Sequence, residues 1–178
     1  TVVKEIMSLL PNEKIIYFGD TARLPYGSKS KETIIAYSRQ IIRFLLGADG
    51  SSPKVKAIVI ACNTASALAL DEVAEETPVP VIGVVKPGAR AAIQATRNGR
   101  IGVIATTGTI RSDIYSSIIR KTNPDIEVYG KACPLFVPLV EEGWVDTDVA
   151  RQVAETYLAE LQKVGIDSLV LGCTPYPL

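Results

Sequence analysis

The sequence predicts an α/β protein with mostly parallel sheets that carry helices on both faces. Short apolar runs bounded by turn residues alternate along the chain with amphipathic stretches of helical spacing. Two of these runs also share one plan, because each ends in a small residue followed by a cysteine: Ala61-Cys62 and Gly172-Cys173. Since the plan occurs twice, two sheets fit the sequence better than one.

The predicted strands are short and rich in β-branched residues and leucine. Such runs, when turn residues bound them, are typical of parallel strands that are buried on both faces. Six strands are expected, at 14–19, 57–62, 81–85, 100–105, 126–130 and 167–173.

Apolar spacing and capping residues predict helices between the strands. Ser30 is the expected N-cap of one helix, Asp146 or Thr147 that of another, and Pro87 suits the first turn of a third. The predicted helices cover 1–10, 31–46, 65–76, 87–97, 110–121 and 147–164. The remaining segments are expected to be a loop at 20–30, a polar turn at 47–53 and an irregular apolar stretch at 131–143.

The repeated plan also predicts two domains. We expect the boundary near 87–99 and assign residues 1–90 to a first αβα domain and residues 91–178 to a second.

Composition excludes several classes of protein. Lysine plus arginine and aspartate plus glutamate both number 19, and this zero net charge gives no support for a nucleic-acid or membrane partner. No histidine occurs, which excludes Ser-His-Asp and Cys-His hydrolases and most zinc sites within these residues, so no metal site is predicted. Three cysteines without a Cys-x-x-Cys pair favour a reducing compartment over a disulfide framework.

Two of the cysteines are candidates for acid–base chemistry. Cys62 and Cys173 follow predicted parallel strands, and ligands of open parallel sheets bind beyond the carboxyl ends of the strands. A thiol there, with backbone N–H groups of a helix start behind it, is in a place that favours the thiolate. Two such thiols facing one pocket could remove and replace a proton. Cys133 lies inside an apolar segment, and we expect it to be a packing residue.

Several short motifs, in this order and spacing, resemble the glutamate racemase family over nearly the whole chain. They are Gly19-Asp20-Thr21-Ala22-Arg23, Pro25-Tyr26-Gly27-Ser28, Ala61-Cys62-Asn63-Thr64-Ala65-Ser66, Pro87-Gly88-Ala89-Arg90, Ala132-Cys133-Pro134-Leu135-Phe136 and Leu171-Gly172-Cys173-Thr174.

The resemblance implies two αβα domains related by a pseudo-two-fold, with the active site between them. It also implies interconversion of L- and D-glutamate without a cofactor, which supplies D-glutamate for peptidoglycan in the bacterial cytoplasm, and it is compatible with a homodimer. Cys62 and Cys173 match the catalytic thiols, of which the first acts on D-glutamate and the second on L-glutamate. Glu141 matches a carboxylate near the second thiol, and Glu142 would take this role if the register differs by one. The substrate-binding positions implied are Pro25, Tyr26, Gly27, Ser28, Asn63, Thr64, Thr106, Thr109 and Thr174.

The implied chemistry agrees with these residue types. The α-proton of an amino acid is a weak acid, so without a cofactor the developing carbanion needs fixed donors on the substrate carboxylate. The hydroxyl and amide groups of Asn63, Thr64, Thr106, Thr109 and Thr174 are donors of this type.

Two features depart from the family pattern. The family opens with a strand and an Asp-Ser-Gly loop that assists the first thiol, and this sequence is expected to begin after that loop. The family also has a histidine where Pro175 stands, and proline cannot transfer a proton. We therefore hypothesise that proton removal from L-glutamate suffers more than removal from D-glutamate; equal losses in separately measured directions would contradict this.

Two alternatives remain at this point. One is a racemase of aspartate or another acidic amino acid, although Ser66 fits the glutamate branch better. The other is an inactive relative that binds an acidic amino acid or a protein partner. A thiol phosphatase lacks support, because no arginine follows Cys62 at phosphate-loop spacing, and a redox protein lacks a Cys-x-x-Cys pair.

Overall fold

The structure is a computed structural model that describes residues 2–47 and 55–177. Its strands are β1 Ile58–Ile60, β2 Val81–Gly83, β3 Arg100–Ala105, β4 Glu127–Ala132 and β5 Ser168–Gly172. Its α-helices are α1 Val2–Leu9, α2 Lys31–Leu45, α3 Asn63–Leu68, α4 Leu70–Glu76, α5 Val85–Ala95, α6 Thr107–Arg111, α7 Ile114–Thr122, α8 Phe136–Glu141 and α9 Asp148–Lys163. None of these helices is both long and apolar enough to cross a membrane.

The strands form two parallel sheets, which confirms the predicted α/β class. β1 pairs with β2, and β3 lies between β4 and β5. In the second sheet, Ile101 and Val103 of β3 pack on α5 and α7, whereas Ile104 packs with Leu161 of α9 on the other face. Central strand β3 is therefore covered on both sides, as a parallel strand requires.

Burial of the other strands is less complete than predicted. Ile58 of β1 packs against α2 and α4, but Val59 is 42% exposed and Ile82 of β2 is 50% exposed. Leu169 and Leu171 of edge strand β5 are also exposed. The expectation that the cysteine-bearing strands are buried on both faces is wrong within the described residues, because helices cover only one face of β1 and β5 lies at a sheet edge.

The predicted strand 14–19 is also wrong. Residues 14–19 have no regular secondary structure, and Tyr17 and Phe18 are exposed. A strand requires a neighbour that completes its backbone hydrogen bonds, and the described residues supply none for this run. Five strands, rather than six, occur in the described ranges.

The helix predictions hold in position and differ at the ends. Ser30 and Thr147 are the N-caps of α2 and α9, where their side chains accept from Thr33 and Ala150 backbone N–H groups. The predicted helix 65–76 is split at Ala69, and the predicted helix 110–121 is split at Asp113, whose φ is 53°. Of the predicted turn 47–53, residues 48–53 lie outside the described residues.

The apolar segment 131–143 is more regular than predicted. Residues 131–132 complete β4, and α8 occupies most of the remainder. Pro138 is tolerated because it is the third residue of α8, where a backbone N–H has no partner within the helix.

Helix α5 packs mainly with the second sheet and also contacts α3. Its buried residues Val85, Ala89 and Ala92 belong to one core together with Ile101 of β3. The division at residues 90 and 91 falls inside this helix and stays a prediction, and the packing favours a boundary before Val85.

Candidate active site

The first candidate thiol lies at the start of a helix. Cys62 follows β1 and occupies the N-cap position of α3. Cys62 makes no side-chain cap hydrogen bond to α3. Burial raises the pKa of the Cys62 thiol, and the nearby backbone N–H groups of Ala65 and Thr64 and the Thr64 hydroxyl, which favour the thiolate, offset that rise only in part. The expectation that this position favours the thiolate is therefore not met in the free protein: desolvation outweighs the helix start.

The second candidate thiol follows β5. Gly172 precedes it, and a Cβ atom at Gly172 would lie 2.8 Å from the carbonyl oxygen of Ile104, which explains the small residue before the cysteine. The pKa of Cys173 is raised to about 12, chiefly by burial and also by the negative charges of Cys62 and Glu141, while the Thr174 backbone N–H opposes this rise.

The predicted catalytic groups lie within electrostatic range of one another. Cys62 comes from the first sheet and Cys173 from the second, yet the charge of one raises the pKa of the other. Glu141, at the end of α8, is the carboxylate that acts on Cys173. The two thiols therefore follow the carboxyl ends of strands from two sheets, and the charges of Cys62 and Glu141 both act on Cys173.

Three buried threonine hydroxyls join the two halves of the chain close to Cys62. Thr64 Oγ1 lies 2.9 Å from Thr106 Oγ1 and 3.4 Å from Thr109 Oγ1, and the latter two oxygens are 3.2 Å apart. Thr106 is also the N-cap of α6. These hydroxyls thus form a polar cluster between the first residues of α3 and α6, the two helix starts that face each other across the site.

The loop 25–28 approaches the same cluster. The carbonyl oxygen of Gly27 accepts a hydrogen bond of 3.0 Å from the Gly108 backbone N–H. A Cβ atom at Gly27 would lie 2.5 Å from Thr106 Cβ, so only glycine permits this approach. Tyr26 is buried in the first core, whereas Pro25 and Ser28 are exposed beside it.

Asp20 is bonded to the loop 25–28 through Tyr26 and was not predicted as a site residue. It accepts hydrogen bonds from the Tyr26 hydroxyl and from Arg23 Nε, the latter at 2.8 Å. Burial acts to raise the pKa of Asp20, but the bonds from Arg23 and Tyr26 outweigh it and hold the pKa below its usual value. A negative charge on Cys62 contributes to the raised pKa of Tyr26, which places that phenol within electrostatic range of the first thiol.

Tyr115 is a second residue that the sequence analysis missed. Its hydroxyl donates a 2.6 Å hydrogen bond to Asn63 Oδ1, and both residues are buried. Asp20 could have been found, because it lies in the Gly19-Asp20-Thr21-Ala22-Arg23 motif, three residues before Arg23. Nothing in the spacing of the sequence links Tyr115 to a residue 52 positions away.

The other predicted positions have simpler surroundings. Thr174 is exposed and contributes its backbone N–H to Cys173. Cys133 is fully buried in the core beside Ile104 and Leu161, which confirms its prediction as a packing residue. Among residues 2–47 and 55–177, no group of three or more histidine, cysteine, aspartate or glutamate side chains is arranged to hold a metal ion.

Similarity to known proteins identifies the family of this chain. The model of the Asp/Glu/Hydantoin racemase family matches residues 1–178. A curated glutamate racemase from Geobacter metallireducens is 56% identical over the whole chain, and a curated glutamate racemase from Sulfurihydrogenibium is 53% identical. The chain spans 64% of the length of the first of these relatives and 67% of the second.

Solved structures agree with the sequence comparison. A glutamate racemase from Francisella tularensis in complex with D-glutamate superposes with a TM-score of 0.89 at 47% identity, covering 99% of this chain and 64% of that one. An aspartate racemase from Picrophilus torridus has a TM-score of 0.66 at 18% identity over 99% of this chain and 77% of its own, a likeness of fold alone. The chain belongs to the Asp/Glu/Hydantoin racemase family.

Proposed function

We propose that the whole protein interconverts L-glutamate and D-glutamate without a cofactor, by proton transfer between two thiols. The observation that carries this proposal is that Cys62 and Cys173 follow the carboxyl ends of strands from different sheets, while hydrogen bonds from Thr64 to Thr106 and Thr109 join the two halves of the chain beside the first thiol. Two acid–base groups on opposite sides of one α-carbon are what inversion at that carbon requires.

The proposed step balances without any other reactant. A thiolate at one cysteine takes the α-proton and becomes a thiol, and the electron pair of the C–H bond stays on the substrate as a carbanion. The thiol of the other cysteine then gives its proton to the opposite face of the α-carbon and becomes a thiolate. In this scheme Cys62 acts on D-glutamate and Cys173 on L-glutamate.

The carbanion has to be stabilised by fixed donors around the substrate carboxylate, because no electron sink is invoked. The threonine cluster of Thr64, Thr106 and Thr109 has hydroxyls of this kind, and we assign it, together with Asn63 and Thr174, to the substrate. We further assign the loop 25–28 to substrate contact and Glu141 to assistance at Cys173. The charge of Glu141 raises the pKa of that thiol and so favours its proton-donating form.

Glutamate is favoured over aspartate as the substrate. The relatives that are 47–56% identical carry the name glutamate racemase, and one solved neighbour holds D-glutamate, whereas the aspartate racemase is only 18% identical. D-Glutamate made in this way would enter peptidoglycan synthesis in the bacterial cytoplasm. We also propose that the protein binds a small-molecule substrate and neither nucleic acid nor a membrane. Assembly into a homodimer is a further hypothesis.

Exchange of the α-proton with solvent deuterium tests the proposal. With full-length protein, we expect deuterium to enter the α-position of both L- and D-glutamate. Cys62→Ala and Cys173→Ala should each abolish racemisation and reduce exchange from one enantiomer more than from the other. Cys133→Ala is the matched control, because this buried cysteine lies outside the site, and it should retain both exchanges.

The exchange pattern distinguishes glutamate from aspartate as the substrate, and a racemase from a binding protein. Exchange from aspartate but not from glutamate would move the substrate to the shorter amino acid. No exchange from any acidic amino acid, in folded wild-type protein that still binds glutamate, would refute the racemase and favour a binding protein.

A further inference from the structure

A buried hydrogen bond links the second core to the residue that follows the first thiol. Tyr115 of α7 is 5% exposed and lies in the apolar core beneath the second sheet. Its hydroxyl leaves that core and donates to Oδ1 of Asn63, the first residue of α3, at 2.6 Å. Burial raises the pKa of Tyr115 to about 12, so the hydroxyl keeps its proton at neutral pH and remains a donor.

This bond uses one end of the Asn63 amide and leaves the other end available. Among the described residues, the amide nitrogen has no hydrogen-bond partner, although no fully buried side-chain nitrogen or oxygen lacks one. The nitrogen is therefore not fully buried, and Asn63 lies between Cys62 and Thr64 in the chain. A terminal amide whose oxygen is occupied presents two N–H donors in a fixed direction.

Gly88 gives the tyrosine hydroxyl the space it needs. Gly88 lies in the middle of the Pro87-Gly88-Ala89-Arg90 motif on α5, which packs against α7. A Cβ atom at Gly88 would lie 3.3 Å from Tyr115 Oη, which is tighter than an ordinary contact. Glycine inside a helix costs about 1 kcal/mol relative to alanine, so its presence here calls for a reason of this kind.

We propose that Tyr115 is a positioning residue that turns the Asn63 amide nitrogen toward the carboxylate of the bound amino acid, and that Gly88 keeps room for the tyrosine hydroxyl. In this proposal Tyr115 acts through the Asn63 amide, to which its hydroxyl is bonded, and not directly on the reacting atoms. This inference rests on the proposed function, since it assigns the freed N–H donors to the substrate of that reaction.

The test is a double-mutant cycle in the full-length protein. Tyr115→Phe removes only the hydroxyl, and we expect kcat/KM for glutamate to fall about ten-fold, the usual effect of one lost hydrogen bond. In an Asn63→Ala background, the same substitution should have no further effect on kcat/KM, because the amide that Tyr115 positions is gone. Tyr129→Phe is the matched control: its hydroxyl donates to Glu127 on edge strand β4, away from Asn63, and its loss should leave kcat/KM unchanged.

Gly88→Ala provides an independent route to the same bond. We expect a several-fold fall in kcat/KM while the melting temperature stays constant or rises, because alanine favours the helix. In the Tyr115→Phe background the added methyl group has no hydroxyl to displace, so Gly88→Ala should then change kcat/KM little.

The outcomes separate the inference from the proposed function. The positioning role would be overturned, while the racemase stands, if Tyr115→Phe lowered kcat/KM equally in the wild-type and Asn63→Ala backgrounds. It would also be overturned if the fall in kcat/KM only followed a lower melting temperature. A folded wild-type protein that neither racemises nor binds glutamate would refute both.

Discussion

Replacement of Gly27 by alanine should disturb the contact between the loop 25–28 and the second half of the chain. The new Cβ atom would lie 2.5 Å from Thr106 Cβ and 2.7 Å from Thr106 Cγ2, distances that carbon atoms do not tolerate. The loop has to retreat and break the 3.0 Å hydrogen bond from Gly108 N–H to Gly27 O. One such bond contributes about 1 kcal/mol and overpacking costs 1–3 kcal/mol, so we expect the free energy of unfolding to fall by ~1–3 kcal/mol.

Urea unfolding of the full-length protein measures this change. Gly130→Ala is the matched control, because the nearest side-chain atoms to a Cβ at Gly130 are 3.6 Å away and the same substitution meets ordinary contacts. We expect that control to leave the unfolding free energy unchanged or to raise it by ~0.5 kcal/mol, because alanine restricts the unfolded chain. Equal midpoints and equal slopes for the two variants would refute the reasoning.

Two further predictions concern ionisable groups. Burial raises the pKa of Cys133 from 9.0 to about 11, so the contribution of this thiol to stability is complete below pH 9 and is lost as the pH rises to 11. Relative to Cys133→Ala, the wild type should lose ~2–3 kcal/mol of unfolding free energy over that range. Parallel curves of unfolding free energy against pH for the two proteins would contradict this. The pKa of Asp20 is instead held down by Arg23 and Tyr26, so its contribution is present above pH 4 and is lost as the pH falls. Asp20→Asn should lower the free energy of unfolding by ~1–3 kcal/mol at pH 7, and in acid unfolding experiments this difference from the wild type should become smaller below pH 4. A difference that stays constant with pH would argue against a charge effect.

Local signals predicted the fold well. The Ser30 cap was predicted, and Thr147 was one of two candidates with Asp146, because a capping side chain bonds a backbone N–H only two or three residues away. Strand β3 was predicted with both ends correct, since it is the central strand and its residues 101–105 are all buried. The two cysteines were recognised because each follows a strand directly.

Long-range pairing explains what the sequence did not reveal. Residues 14–19 have the composition of a strand, but composition does not say whether a neighbouring strand is present. The exposure of Val59 depends on which helices cover the first sheet, and the bond from Tyr115 to Asn63 joins helices from different halves of the chain. The raised pKa of Cys62 likewise depends on how much of the chain encloses the helix start, which no local pattern records.

That raised pKa fits the proposed reaction, although the start of α3 was expected to favour the thiolate. Because a charge on Cys62 raises the pKa of Cys173, the pair resists double ionisation, and one thiolate keeps the other cysteine as a thiol. Two-base inversion needs this unequal protonation, with an acid on one face of the α-carbon and a base on the other. In the free protein burial favours both thiols. The α-ammonium group of a bound amino acid would bring a positive charge close to the sulfurs and lower their pKa, so the reactive thiolate would form mainly when a substrate is present to use it.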